Sequence, residues 1–113
     1  MNHSIKSSVS FFAGTLLVCA LLLLPADSHA HSMTGFCSDN GDGTALCEGS
    51  FSDGSSAQGV KVIVSDADER TITSGKMDAD GEYEFKMPEG RFAVTFDAGE
   101  GHKMQILSID FVN

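Results

Sequence analysis

Apolar and polar residues alternate along most of the chain beyond residue 30, and short groups of turn-forming residues separate the alternating segments. Alternation with a period of two is typical of β-strands that bury one face. The pattern is clearest in three runs: Val60/Val62/Val64, Tyr83/Phe85/Met87 and Phe92/Val94/Phe96. These runs and four weaker ones predict seven strands, over residues 33–37, 44–51, 59–65, 71–77, 82–87, 91–97 and 102–112.

Glycine and aspartate dominate the turns between these strands, as in residues 40–43 and 78–81. Glycine supplies the positive φ that tight turns need, and no sustained helical period appears after residue 30. In the last predicted strand Leu107, Ile109 and Phe111 alternate, so we expect them to share one face. Seven strands at this spacing in about 80 residues predict an all-β domain, a seven-stranded antiparallel sandwich.

Residues 1–30 have the organisation of a secretory signal peptide. They contain a positive residue, an apolar stretch and small residues before a cleavage point: Lys6, residues 11–24 and Ser28-His29-Ala30. Cleavage after Ala30 leaves a single β-sandwich domain of residues 31–113, which we expect to be periplasmic or secreted. The alternative is an uncleaved membrane anchor.

The charge balance narrows the classes of partner. The chain carries 16 acidic and 7 basic residues, a formal net charge of −9 at pH 7. This balance argues against binding to nucleic acids and to anionic membranes, because both kinds of binding depend on the positive charges of Lys and Arg. The mature chain contains no second long apolar stretch, so we do not expect it to insert into a membrane. Serine-hydrolase, zinc-protease and phosphate-loop motifs are absent from the sequence, so we do not expect an enzyme.

Two cysteines, Cys37 and Cys47, follow the predicted signal peptide and flank a glycine-rich turn. An even number of cysteines in an oxidising compartment favours a disulfide, here between neighbouring strands of a hairpin. The alternative is a free cysteine pair that binds a metal ion.

Two His-x-Met units supply candidate metal ligands: His31-Ser32-Met33 and His102-Lys103-Met104. If His31 is the mature N-terminus, its α-amine and imidazole can chelate one ion together, and nitrogen donors suit Ni(II), Cu(II) and Zn(II). The thioethers of Met33 and Met104 are soft donors that select Cu(I). The alternatives are a frayed terminus for His31, a strand-capping histidine for His102 and core packing for the two methionines.

Several segments carry a family resemblance: Phe51-Ser52-Asp53-Gly54, residues 59–62, residues 78–85 and Pro88-Glu89-Gly90. They are similar to carboxypeptidase regulatory-like domains, a resemblance that implies a Greek-key (prealbumin-like) sandwich. The ending Ala98-Gly99-Glu100-Gly101-His102 resembles the small exported accessory component (NikL-like) of nickel ECF uptake systems. Mature chains of that group tend to begin with His, the place that His31 takes here.

The resemblance implies a periplasmic metal-binding accessory protein that assists uptake of nickel or a related divalent ion, with a membrane transporter complex as its partner. Two other functions stay open. One is a structural or adhesive domain of the cell envelope. The other is a periplasmic copper-binding protein that uses the two His-x-Met units.

Overall fold

A computed structural model describes residues 32–113, and the predicted signal peptide and His31 lie outside the described residues. Seven strands occur near the predicted positions: β1 (Met33–Asp39), β2 (Thr44–Phe51), β3 (Lys61–Asp66), β4 (Thr71–Lys76), β5 (Glu82–Lys86), β6 (Phe92–Asp97) and β7 (Lys103–Leu107). Within this part of the chain no helix is long and apolar enough to span a membrane.

The strands form two sheets that pack face to face. One sheet has the order β1-β2-β5 and the other has the order β4-β3-β6-β7, and all neighbouring strands are antiparallel. The chain passes between the sheets in the β2–β3, β4–β5 and β5–β6 connections, so that β6 returns to lie beside β3. This is the Greek-key arrangement, and the predicted all-β sandwich is confirmed.

The core contains the side chains that the alternation selects. Val62, Val64, Val94 and Phe96 are fully buried between the sheets, and Phe85 joins them from β5. The outward residues between them are polar or only half-buried. Because apolar area removed from water stabilises the fold by roughly 25 cal/mol per Å², these strands supply much of the driving force for folding.

The last strand differs from the prediction in its length and in its buried face. β7 ends at Leu107, and a short 3₁₀ helix (Ser108–Asp110) replaces the predicted strand continuation. Ile106 is buried against the core, whereas Leu107 and Ile109 are 47% and 76% exposed. The expected common face of Leu107, Ile109 and Phe111 is therefore wrong.

The physical reason is the hydrogen bonding at Ser108. Its Oγ accepts a hydrogen bond from the backbone N–H of Phe92 at 3.1 Å, at the position where a longer β7 would supply a carbonyl. The chain then turns, and Phe111 packs edge-on against Phe92 with ring centroids 5.3 Å apart. The side-chain oxygen of Ser108 therefore takes the place of a backbone carbonyl at the end of the β6–β7 pairing.

The predicted disulfide is confirmed between Cys37 on β1 and Cys47 on β2, which lie directly opposite each other in the hairpin. Both cysteines are buried. β1 also holds the end of the chain, because the N–H of Val112 donates to the carbonyl of Cys37 and the N–H of Asp39 donates to the carbonyl of Val112. The cross-linked hairpin thus positions both ends of the described chain.

Candidate functional site

Of the predicted ligands, Met33, His102 and Met104 are among the described residues, and they lie at one end of the sandwich, where β1 and β7 begin and β2 and β6 end. We call this the His102 end, and it includes the loop of residues 52–60 and the turn of residues 98–102. Met33 begins β1 and lies opposite Phe51, the last residue of β2. The elements that carry the two His-x-Met units therefore meet at the same end of the fold.

Ser32, the residue that follows His31, is held on the loop after β2. The backbone N–H of Ser52 donates to the carbonyl of Ser32 at 2.8 Å, and the N–H of Ser32 donates to Oγ of Ser52 at 3.1 Å. The two residues thus exchange hydrogen bonds across the end of the β1–β2 ladder. The position of Ser32 at the His102 end is therefore set by the fold.

His102 closes the turn between β6 and β7. Its carbonyl accepts from the N–H of Ala98 at 2.9 Å, and its N–H donates to the carbonyl of Gly99 at 3.0 Å. Gly99 and Gly101 have positive φ values of 114° and 77°, which L side chains rarely adopt. The Gly-x-Gly pattern is thus needed for the turn, and it leaves His102 exposed at the rim.

A cleft of about 220 Å³ at this end is lined by Phe51, Ser55, Ala98 and His102. Oδ1 of Asp53 accepts from both the N–H and the hydroxyl of Ser55, at 2.9 and 2.6 Å. The imidazole of His102 therefore shares an open cleft with the loop that holds Ser32. The carboxylate of Asp53 belongs to the same loop.

Met33 and Met104 are both half-buried and pack against the core. Met104 lies opposite Phe96 in the β6–β7 ladder, and Phe96 is fully buried, so Met104 points between the sheets. Both methionines therefore contact the core on the inner side of the His102 end.

Sequence reasoning missed a third methionine at this end. Met77 follows β4 and is 2% exposed. A Cβ built on Gly49 would lie 2.6 Å from Cε of Met33 and 3.0 Å from Sδ of Met77, so both side chains converge on this glycine. Met77 has Gly75 rather than a histidine two residues before it, and no His-x-Met pattern could have identified it.

Within residues 32–113 no group of three or more His, Cys, Asp or Glu side chains is placed to hold a metal ion. A site with three nitrogen donors at the His102 end consequently needs the two donors of His31 in addition to the ring of His102.

Carboxylates crowd the start of β5, on the outer face of the smaller sheet. Glu82 lies directly opposite Glu48 on β2, and its backbone N–H donates to Oδ1 of Asp78 at 3.0 Å. Partial burial raises the pKa of the Glu82 carboxyl above its ordinary value, and so do the negative charges of Glu48, Asp78 and Asp80. The ionised form of Glu82 is therefore disfavoured in the folded protein.

We expect Glu82→Gln to raise the thermal stability of the mature protein near neutral pH. A carboxyl whose pKa is higher in the folded than in the unfolded protein lowers the free energy of unfolding. The loss is complete when the pH lies above the folded-state pKa, and it disappears when the pH lies below the unfolded-state pKa. The gain should therefore be present at about pH 7 and lost at about pH 4 in thermal unfolding followed by circular dichroism. Glu84→Gln is the matched control, because Glu84 lies opposite Leu46 instead of a carboxylate. An equal gain in both variants would contradict the assignment.

Comparisons of the chain with family models, with curated proteins and with solved structures gave no match.

Proposed function

We propose that the mature chain is an exported metal-binding accessory protein that holds a divalent transition-metal ion at the His102 end. The α-amine and ring of His31 and the ring of His102 are the proposed ligands. The observation that carries this proposal is the pair of hydrogen bonds between Ser32 and Ser52, on the loop that shares a cleft with His102.

The donor set fits such an ion. Amine and imidazole nitrogens suit Ni(II), Cu(II) and Zn(II), and an N-terminal amine with a pKa near 8 loses its proton at little cost near neutral pH. His102 is exposed, so its ring can turn toward an ion without breaking a core contact. Two donors of one residue and one donor of another would leave an open position for water, Met or a carboxylate.

The proposed role is assistance of nickel uptake through a transporter complex, which follows from the resemblance of residues 51–54 and 97–102 to nickel uptake accessory proteins. A net charge of −9 attracts cations to the domain. The disulfide between Cys37 and Cys47 is consistent with an oxidising compartment outside the cytoplasm.

A structural or adhesive role is the second candidate, and the C-terminal surface favours it. Leu107, Ile109 and Val112 are large apolar side chains that are about half or more exposed, and all three lie within residues 107–112. Exposed apolar groups of this kind often mark contacts with other proteins. Under this hypothesis the domain binds an envelope protein and needs no metal.

Isothermal calorimetry with Ni(II) and with Cu(II) tests the metal site on the mature protein that begins at His31. One variant carries an extra alanine before His31, which moves the α-amine away from the ring, and a second variant is His102→Ala. Each should weaken binding by about a hundredfold, since even changes behind the ligands of a metal typically cost 10–100-fold. The combined variant should lose less binding free energy than the two single variants lose together, because both changes affect one site.

Two matched controls separate loss of a ligand from general damage. An alanine added after Asn113 has the same mass as the N-terminal addition, and Gln105→Ala removes another exposed side chain from the same hairpin. Both controls should bind like wild type. Absence of Ni(II) and Cu(II) binding in wild type, or full binding in both test variants, would make the structural role the better explanation.

A further inference from the structure

Gly49 lets two methionines approach each other at the His102 end. The position of a Cβ on this residue lies 2.6 Å from Cε of Met33 and 2.9 Å from Cε of Met77, which is closer than real Cβ atoms come to their neighbours. Gly49 lies opposite Gly35 in the β1–β2 ladder, so a second position without a side chain adjoins the first. The missing side chain of Gly49 leaves the space in which the two methionine side chains converge, whereas a Cβ on Gly35 would meet the ring of Phe96 instead.

The pair has one buried and one partly accessible member. Met77 is 2% exposed, and its backbone is fixed by hydrogen bonds in both directions with residues 59 and 60. Met33 is half-buried and lies opposite Phe51, which lines the cleft of His102. An ion that enters at the His102 end would therefore reach Met33 first, with Met77 behind it.

We propose that Met33 and Met77 form a thioether pair that binds Cu(I), supplied to the protein in that oxidation state. Thioether sulfur is a soft donor that favours Cu(I) over Ni(II) and Zn(II). The assignment rests on the proposed function only in taking the His102 end as the place where a metal ion enters, and it adds Met77 as a ligand. The nitrogen donors of His31 and His102 take a divalent ion, and the sulfur pair takes the monovalent one.

The same end of the sandwich is rich in methionine. Met33, Met77 and Met104 all lie here, and of the methionines in residues 32–113 only Met87 lies at the other end, after β5. Leucine fills a similar volume without a donor atom, so a Met-to-Leu exchange separates packing from ligation. Met104, opposite Phe96 and two residues after His102, is the third methionine at this end.

The test is competition for Cu(I) between the mature protein and the chromogenic chelator bicinchoninate, with ascorbate present. Wild type should remove Cu(I) from the chelator. Met33→Leu/Met77→Leu should bind Cu(I) about a hundredfold more weakly, a loss of the size that changes around metal ligands produce. Met87→Leu is the matched control, because it exchanges a half-buried methionine at the far end, and its affinity should equal that of wild type.

The outcomes separate this inference from the proposed function. Unchanged Cu(I) affinity in the double variant, or no Cu(I) binding by wild type, would overturn the thioether pair, whatever Ni(II) and Cu(II) do. Loss of Cu(I) binding with retained Ni(II) and Cu(II) binding would support both sites. Cu(I) binding without divalent binding would keep the thioether pair and reject the nitrogen site. If the double variant does not fold, Met33→Leu alone gives the same comparison at a half-buried position.

Discussion

Phe85→Ala should lower the free energy of unfolding of the mature protein by about 3–5 kcal/mol, the usual cost of removing a large aromatic side chain from a core. Phe85 is 6% exposed on β5. Its ring stacks on Tyr83 at 6.0 Å and meets the edge of Phe92 at 5.9 Å. Because Phe92 belongs to the other sheet, Phe85 joins the two layers, and a cavity there would weaken the contact between them.

Leu107→Ala is the matched control, because it also truncates a large apolar residue on a strand. Leu107 is 47% exposed, so its cost should stay within about 0.5 kcal/mol, as for other surface substitutions. Urea unfolding followed by circular dichroism measures both variants. A cost near zero for Phe85→Ala, or a cost for Leu107→Ala as large as that of Phe85→Ala, would mean that the buried faces are assigned wrongly.

Most of the fold could be predicted from the local alternation of apolar and polar residues. The last strand, β7, is where this prediction fails. In β3, β5 and β6 only one face of each strand has a run of large apolar residues, so the sequence identifies the buried face of each strand. Residues 102–112 carry apolar residues on both faces: Met104 and Ile106 on one, Leu107 and Ile109 on the other. The choice between them is made by the register with β6, which pairs Val94 with Ile106, and no local pattern contains that information.

The candidate site could be predicted only in part. The sequence indicates His102 through the Gly-x-Gly turn that exposes it, and its place in that turn is confirmed. The approach of Ser32 to the loop after β2 depends on hydrogen bonds between residues 20 positions apart, which spacing alone does not reveal. Met77 could not be identified from the sequence, because its side chain meets that of Met33 beside Gly49, a residue on another strand that has no side chain.

Removal of the disulfide by Cys37→Ala/Cys47→Ala should lower the free energy of unfolding by about 3 kcal/mol, the estimate for a cross-link that closes a loop of this length. The two cysteines are 10 residues apart. In small domains of about 80 residues the core leaves little spare stability, so a loss of this size is a large fraction of the total. The denaturant slope m should rise, because the unfolded chain without the cross-link exposes more surface.

Reduced wild type is the control, because it loses the cross-link but keeps both sulfur atoms in the core. Similar urea midpoints for reduced wild type and for the double variant would assign the loss to the cross-link rather than to packing. The amide of Val112, which donates to the carbonyl of Cys37, should lose hydrogen-exchange protection in both, because the strand that holds it is less stable. A double variant as stable as oxidised wild type would refute the stabilising role of the bond. Ni(II) binding by the folded double variant should be unchanged, since neither cysteine is among the proposed ligands.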